Sequence, residues 1–227
     1  MAWEIIVGLL AEGTTDQRFL KPVVEKTFNQ IALTECIGEI EIRVLTLNKT
    51  AGLSFVQQAI QAAKDAYKQY GINMLCIHAD ADNSNSEAIY QSKINPTLAQ
   101  VAEQSESECC KIVIPIVPIQ ETEAWMLADT HLLKEEINTT KSDNELGIHR
   151  PPEMIANPKG VIEDAIRKAR QHLPKRRRYE LSINDLYLPI GEKVAIHQLE
   201  KLNSFQHFQN NVRSALVKLG VRFHTHL

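Results

Sequence analysis

Five carboxylates stand out for where they fall in the chain. Glu12 follows the apolar run Ile5-Ile6-Val7-Gly8-Leu9-Leu10-Ala11 and precedes Gly13. Asp80 and Asp82 follow the apolar run 72–78, and Glu121 and Glu123 come just after the run 111–117. Apolar, β-branched runs of this length read as buried strands of a parallel sheet. Ligands of open α/β sheets bind beyond the carboxyl ends of such strands. If the three runs are parallel neighbours, all five acids gather along one edge. Alternation in an extended segment puts Asp80 and Asp82 on the same side. Two carboxylates with a third from another strand form an oxygen-rich cage suited to Mg²⁺ or Mn²⁺. Without a cation, clustered carboxylates repel and some must take up protons. Each acidic pair alone is common at loop mouths; the metal reading rests on their conjunction.

The elements that would position these acids can be read in order. Thr14 or Thr15 is placed to cap a helix running to about Gln30, with Phe19, Leu20, Val23, Val24 and Phe28 on its apolar side. Pro22 predicts a later start or a kink. Residues 39–47 alternate as a second strand. A helix follows over 53–70, and Gly71 is its stop signal. The third strand spans 72–78, and a helix over about 87–104 carries a break at Pro96. The fourth strand spans 111–117, and Pro115 assigns it to an edge position or a strand end. A helix start over 120–129 completes a βαβαβαβα order, the signature of a mostly parallel sheet with helices on its faces. Glu121 and Glu123 are two residues apart, so on a helix they point to different faces and one of them meets the site, unless the helix begins after Glu121. From about residue 134 the pattern becomes loops and short helices. The chain thus divides into an α/β domain over 1–135 and a helical extension over 136–227 packed on it.

Charge is divided unevenly along the 227 residues. Residues 1–149 hold 11 basic and 21 acidic side chains, and residues 150–227 hold 14 basic and 7 acidic. A basic back is the electrostatic footprint expected of a nucleic-acid contact, or of a surface that docks on the acidic front. Lys175-Arg176-Arg177-Arg178 is its densest part and can contact phosphates; a solvated basic loop is the plainer account. Lys49, in a strand-to-helix turn, can also approach a phosphate. His78 precedes Asp80 at the strand end and could support the acids there; a buried strand histidine is the simpler reading. His224 and His226 lack further ligands for a zinc site. Trp3 and Trp125 read as core anchors, and all five tyrosines as core or surface aromatics. A hydrophobic fraction of 44% argues against global disorder. No run approaches the roughly 20 apolar residues of a membrane span. The absence of a basic N-terminal region and of CxxC spacing among Cys36, Cys76, Cys109 and Cys110 fits a cytoplasmic protein with reduced thiols.

Glu12-Gly13 with Asp16 early in the next helix, and the later Asp80-Ala81-Asp82, resemble the Toprim domain of topoisomerases, primases and OLD nucleases. Glu121-Thr122-Glu123-Ala124-Trp125-Met126-Leu127-Ala128-Asp129, Asn157-Pro158-Lys159 and the helices over 187–220 resemble the uncharacterised DUF4276 family. The Toprim resemblance covers roughly 1–135, and the DUF4276 resemblance nearly the whole chain. It implies a Toprim-like sheet and a divalent-metal site for phosphoryl transfer. Glu12 would then act as general acid/base or metal ligand, and Asp80 and Asp82 would hold Mg²⁺. Asp16 with Glu121 or Glu123 would serve a second ion. The topoisomerase tyrosine context, the primase zinc segment and a GxxxxGK[ST] motif are all missing, so any ATPase would be a separate partner chain, as it often is beside OLD-type nucleases.

The expectation that follows is a Mg²⁺-dependent nuclease acting on DNA or RNA, as an effector in defence against phage by family analogy. The contrasting expectations are a catalytically silent nucleic-acid-binding or regulatory subunit of an ATPase partner, and a hydrolase of a small phosphorylated molecule.

Overall fold

The computed structural model describes residues 3–224. Its centre is a four-stranded sheet of β1 (Trp3–Leu10), β2 (Ile40–Thr46), β3 (Met74–His78) and β4 (Val113–Ile116) in the order β2-β1-β3-β4. Every pairing is parallel, with Val7 opposite both Val44 and Met74, and Cys76 opposite Ile114. The expected α/β class and parallel sheet are therefore found. β4 lies at an edge, where the missing N–H of Pro115 leaves the ladder least disturbed.

Both faces of the two central strands are buried, which is why their sequences are continuously apolar. Ile5, Val7 and Leu9 of β1 with Met74 and Cys76 of β3 face one core. Leu10 with Leu75 and Ile77 face the other. The first core is covered by α1 (Thr14–Glu35), through Phe19, Leu20, Val23, Val24 and Phe28. The second is covered by α2 (Phe55–Tyr70), by α3 (Glu87–Ile89) and a π turn (Tyr90–Ile94), and by α4 (Asn95–Glu103). The chain thus leaves β1 over one face and reaches β3 and β4 over the other. That reversal makes the gap between the carboxyl ends of β1 and β3 the topological switch point of the sheet.

Several boundaries differ from the sequence reading for identifiable reasons. α1 is capped by Gly13, not by a threonine side chain, and runs without interruption past Pro22 to Glu35. Its burial against the sheet outweighs the one hydrogen bond that Pro22 removes. Instead of breaking at Pro96, the third helical stretch widens into the π turn just before it. α2 starts at Phe55 because Ser54 and Gln57 form a capping box, and it stops at Gly71 in the left-handed conformation as expected.

The remaining α-helices are α5 (Glu123–Met126), α6 (Thr130–Glu136), α7 (Asp143–Leu146), α8 (Pro158–Ala169), α9 (Tyr187–Lys193), α10 (Ile196–Leu199) and α11 (Asn203–Lys218). They complete the first core instead of forming a separate one: Tyr187, Ile190, Phe205, Phe208, Val212 and Leu216 are buried with the β1 and α1 side chains. α9 approaches α1 closely at Gly191, where a Cβ would stand 2.6 Å from the Phe19 carbonyl oxygen. Some of the basic back pairs with the acidic front, as in Arg213 with Glu35 and Lys193 with Glu136. Trp125 is fully buried, whereas Trp3, at the start of β1, is 49% exposed and is no core anchor. All four cysteines are buried free thiols. Among the described residues no helix is long and apolar enough to cross a membrane. His226 lies outside the described residues.

Candidate metal centre

The switch point assembles a tighter group than the five acids read from the sequence. Asp16, in the first turn of α1, meets His78 and Asp80 beyond β3, with one ligand atom from each lying within 4.8 Å of the others. Gly13 lets Asp16 turn back on the strand end, since a Cβ there would stand 2.9 Å from Asp16 Oδ2.

His78 is buried, and its two nitrogens have distinct partners. Its Nδ1 accepts from the Glu12 amide at 3.3 Å. Its Nε2 lies 3.2 Å from Asp80 Oδ1 and 3.0 Å from Thr122 Oγ1. An amide pointing at Nδ1 selects the neutral tautomer with the proton on Nε2, which then donates toward Asp80. Burial opposes charge on this imidazole, and Asp80, Asp16 and Glu12 outweigh it, so its pKa sits above the ordinary value. The added proton would have to enter at Nδ1, where the Glu12 amide already points, and this contact resists it. His78 therefore acts as a strut that orients Asp80.

The two aspartates are tuned in opposite directions. Burial pushes the Asp16 carboxyl above its ordinary value; His78 works against that shift and the nearby Asp80 adds to it. Burial also acts on Asp80, but the His78 contact and the Thr122 amide at 2.8 Å hold it below the ordinary value. Oxygen donors of this kind, one stabilised as an anion and one crowded beside it, fit a hard divalent cation.

The other predicted acids are distributed around this pair. Glu12 reaches Lys93 Nζ through Oε1 at 2.6 Å, and its carbonyl accepts from Lys49. Lys93 belongs to the π turn, a distortion that often marks functional positions. Asp82 is not beside Asp80: its φ of 52° turns the chain and leaves it exposed, with its amide bonded to the Gln120 carbonyl. The alternation argument fails there because the segment stops being extended. α5 does begin after Glu121, at Glu123, and Thr122 between the two glutamates is the residue that meets Asp80. Glu121 accepts from the Lys159 amide at the start of α8 at 2.8 Å. Glu123 is 4% exposed and accepts a hydrogen bond from the Tyr187 hydroxyl of α9.

Burial raises the Glu123 pKa, and the Tyr187 hydrogen bond only partly offsets it. Ionising Glu123 in the fold is thus penalised as pH rises past the ordinary carboxyl value of 4.5. Glu123→Gln keeps an acceptor for Tyr187 and removes that charge. With chelator present it is expected to melt above wild type near pH ~8 and to converge with it near pH ~4. A gap equal at both pH values would contradict the assignment.

Sequence reasoning missed Thr122, Lys93 and Tyr187, and set a supporting role for His78 at the acids beside the plainer reading of a buried strand histidine. A histidine two residues before Asp80, on a strand ending in acids, was the one signal available for these. The basic segment Lys175–Tyr179 forms an exposed 3-10 turn beyond α8.

No curated protein and no solved structure matches the chain. A family described as a domain of unknown function, DUF4276, matches residues 11–213. That span holds Glu12, Asp16, His78, Asp80, Glu121, Glu123 and Tyr187 together with all four crossover helices and most of the helical back. The chain accordingly belongs to the DUF4276 family.

Proposed function

We propose that the chain is a Mg²⁺- or Mn²⁺-dependent nuclease related to Toprim proteins, cleaving phosphodiester bonds of DNA or RNA. The observation that carries this reading is the convergence of Asp16 and Asp80 at the switch point, with His78 and Thr122 fixing Asp80. Asp16 and Asp80 would hold the ion, with Glu12 beside them. A divalent ion bound there would polarise a phosphate and lower the pKa of a water. The protein's own part is orientation. His78 and Thr122 lock one oxygen of Asp80, leaving the other for coordination. Lys93 positions the Glu12 carboxylate, and Lys49 braces the backbone that carries it. Both ammonium groups bring positive charge to the rim of an acidic site, where a phosphodiester must approach. The phage-defence role and a separate ATPase partner are part of this proposal by family analogy alone.

One observation favours the second reading, a silent regulatory subunit: the Glu12 carboxylate is already neutralised by Lys93 at 2.6 Å. Calorimetry with Mg²⁺ and Mn²⁺, run beside incubation with plasmid, single-stranded DNA and total tRNA, separates the two. Metal binding with cleavage that chelator abolishes is the expected result. A folded protein that binds neither ion, even with nucleic acid present, would rule out the nuclease.

A further inference from the structure

The C-terminal half of α8 borders a groove of about 520 Å³. Its floor is apolar, formed by Ile166, Leu181 and Ile183, and its lip carries Arg167, Arg178 and Tyr179. Glu163 is the acidic member of the lining. Tyr179 is 81% exposed, an unusual setting for an aromatic ring. It follows directly on Lys175-Arg176-Arg177-Arg178 in the same 3-10 turn. The turn is braced from beneath: Arg170 donates to the Arg177 carbonyl, and Arg178 donates to the Leu173 carbonyl at 2.8 Å. Among the described residues, no group accepts a hydrogen bond from the Arg176 or Arg177 side chain. The braced turn thus presents an exposed ring over an apolar slot. Of the arginines lining the groove, Arg167 pairs with Asp164 and Arg178 with the Leu173 carbonyl, while Arg176 and Arg177, in the same turn outside the lining, keep uncommitted guanidinium groups.

We infer that this groove binds a single-stranded stretch of nucleic acid, with an unstacked base against Tyr179 and its flanking phosphates on Arg176 and Arg177. Charge complementarity selects a polyanion, and the ring beside an apolar slot selects one whose bases are free to leave a stack. A duplex would offer the phosphates but no exposed base face. The inference deepens the nuclease reading and rests on it for the choice of substrate class. α8 links the two places: Lys159 at its start touches Glu121 of the acidic group, and Arg170 at its end braces the basic turn. Its 12 residues span about 18 Å, so one short helix runs from the contact with Glu121 to the brace of the basic turn.

The test is fluorescence anisotropy of the full chain with labelled oligonucleotides of about twelve nucleotides, single-stranded and duplex, in chelator so that no cleavage intervenes. The single strand is expected to bind more tightly than the duplex. Tyr179→Ala is expected to weaken it about tenfold and Tyr179→Phe to leave it near wild type, as stacking of one base predicts. Arg176→Ala with Arg177→Ala should flatten the salt dependence by about two phosphate contacts. Tyr179 is exposed, so its replacement leaves the core intact. Equal binding by wild type and Tyr179→Ala, or duplex binding as tight as single-strand binding, would overturn the inference. Oligonucleotide binding of the expected pattern in a protein that binds neither Mg²⁺ nor Mn²⁺ would remove the nuclease and leave the groove. Cleavage with an unchanged KM in Tyr179→Ala would do the reverse.

Discussion

Asp80→Asn is expected to lower metal-dependent cleavage by roughly 10²–10³-fold while leaving the fold intact. The substitution is nearly isosteric. An asparagine carbonyl in the position of Asp80 Oδ1 still accepts from the Thr122 amide and from His78 Nε2, so the contacts at 2.8 and 3.2 Å survive. The lost quantity is the negative charge, and with it the donor that a divalent ion would find beside Asp16. Calorimetry should show Mn²⁺ binding weakened in parallel with the rate. Thermal denaturation should show a protein that still folds cooperatively, with a modest loss near neutral pH that fades below the ordinary carboxyl range, because the fold favours the Asp80 anion. Cleavage retained within a few-fold of wild type would remove Asp80 from the metal site. A loss of rate without a loss of ion binding would move its role from holding the ion to orienting the substrate.

Trp125→Ala is expected to cost about 3–5 kcal/mol of stability, the range for deleting a large buried aromatic. Trp125 is fully buried, packs edge-on to Phe205 with ring centroids 5.1 Å apart, and lies 6.1 Å from Phe208. Its indole N–H donates to Ser204 Oγ at 2.8 Å, so truncation also leaves a buried hydroxyl without that partner. The residue sits in α5, two positions after Glu123, and its partners sit in α11. It is therefore the pin between the strand-four side of the site and the C-terminal helix. Urea denaturation should show a lower midpoint at an unchanged slope. A cost below about 1 kcal/mol would mean that the cavity closes without loss. Trp125→Phe should fall well short of the alanine cost, because the ring contacts persist.

How much of this was legible in the sequence depended on whether a residue's role was local. The strands and their parallel order could be read because both faces of β1 and β3 are buried, which writes itself as unbroken apolar runs. The edge position of β4 was legible from Pro115, and the end of α2 from Gly71. Glu12 and Asp80 could be placed because each directly follows such a run. Asp82 could not, since nothing in the run predicts the left-handed turn that removes it from the edge. Tyr187 was out of reach for a different reason. Its partner Glu123 lies 64 positions earlier, and the contact exists only because α9 packs on α1. The same holds for Lys93, whose direction is set by a π turn that has no residue-type signature in this chain. Pro22 misled because propensity was overridden by the packing of a long amphipathic face.

The way the chain closes has a consequence for its synthesis. The backbone around Cys36, at the end of α1, pairs with Phe223, and the Ile37 amide donates to the Arg222 carbonyl at 2.7 Å. α11 meanwhile packs against β4, and α9 against α1. The face of the sheet that carries Ile5, Val7 and Leu9 thus gains part of its cover only from α11, which is made well after β4. At about 5–20 residues per second, the interval between β4 and α11 is on the order of 5–20 s. Throughout it, a nascent sheet with one apolar face partly uncovered waits beside the exit tunnel. Closing this face therefore has to wait for α11, and it is in that interval that a holding chaperone would find the chain.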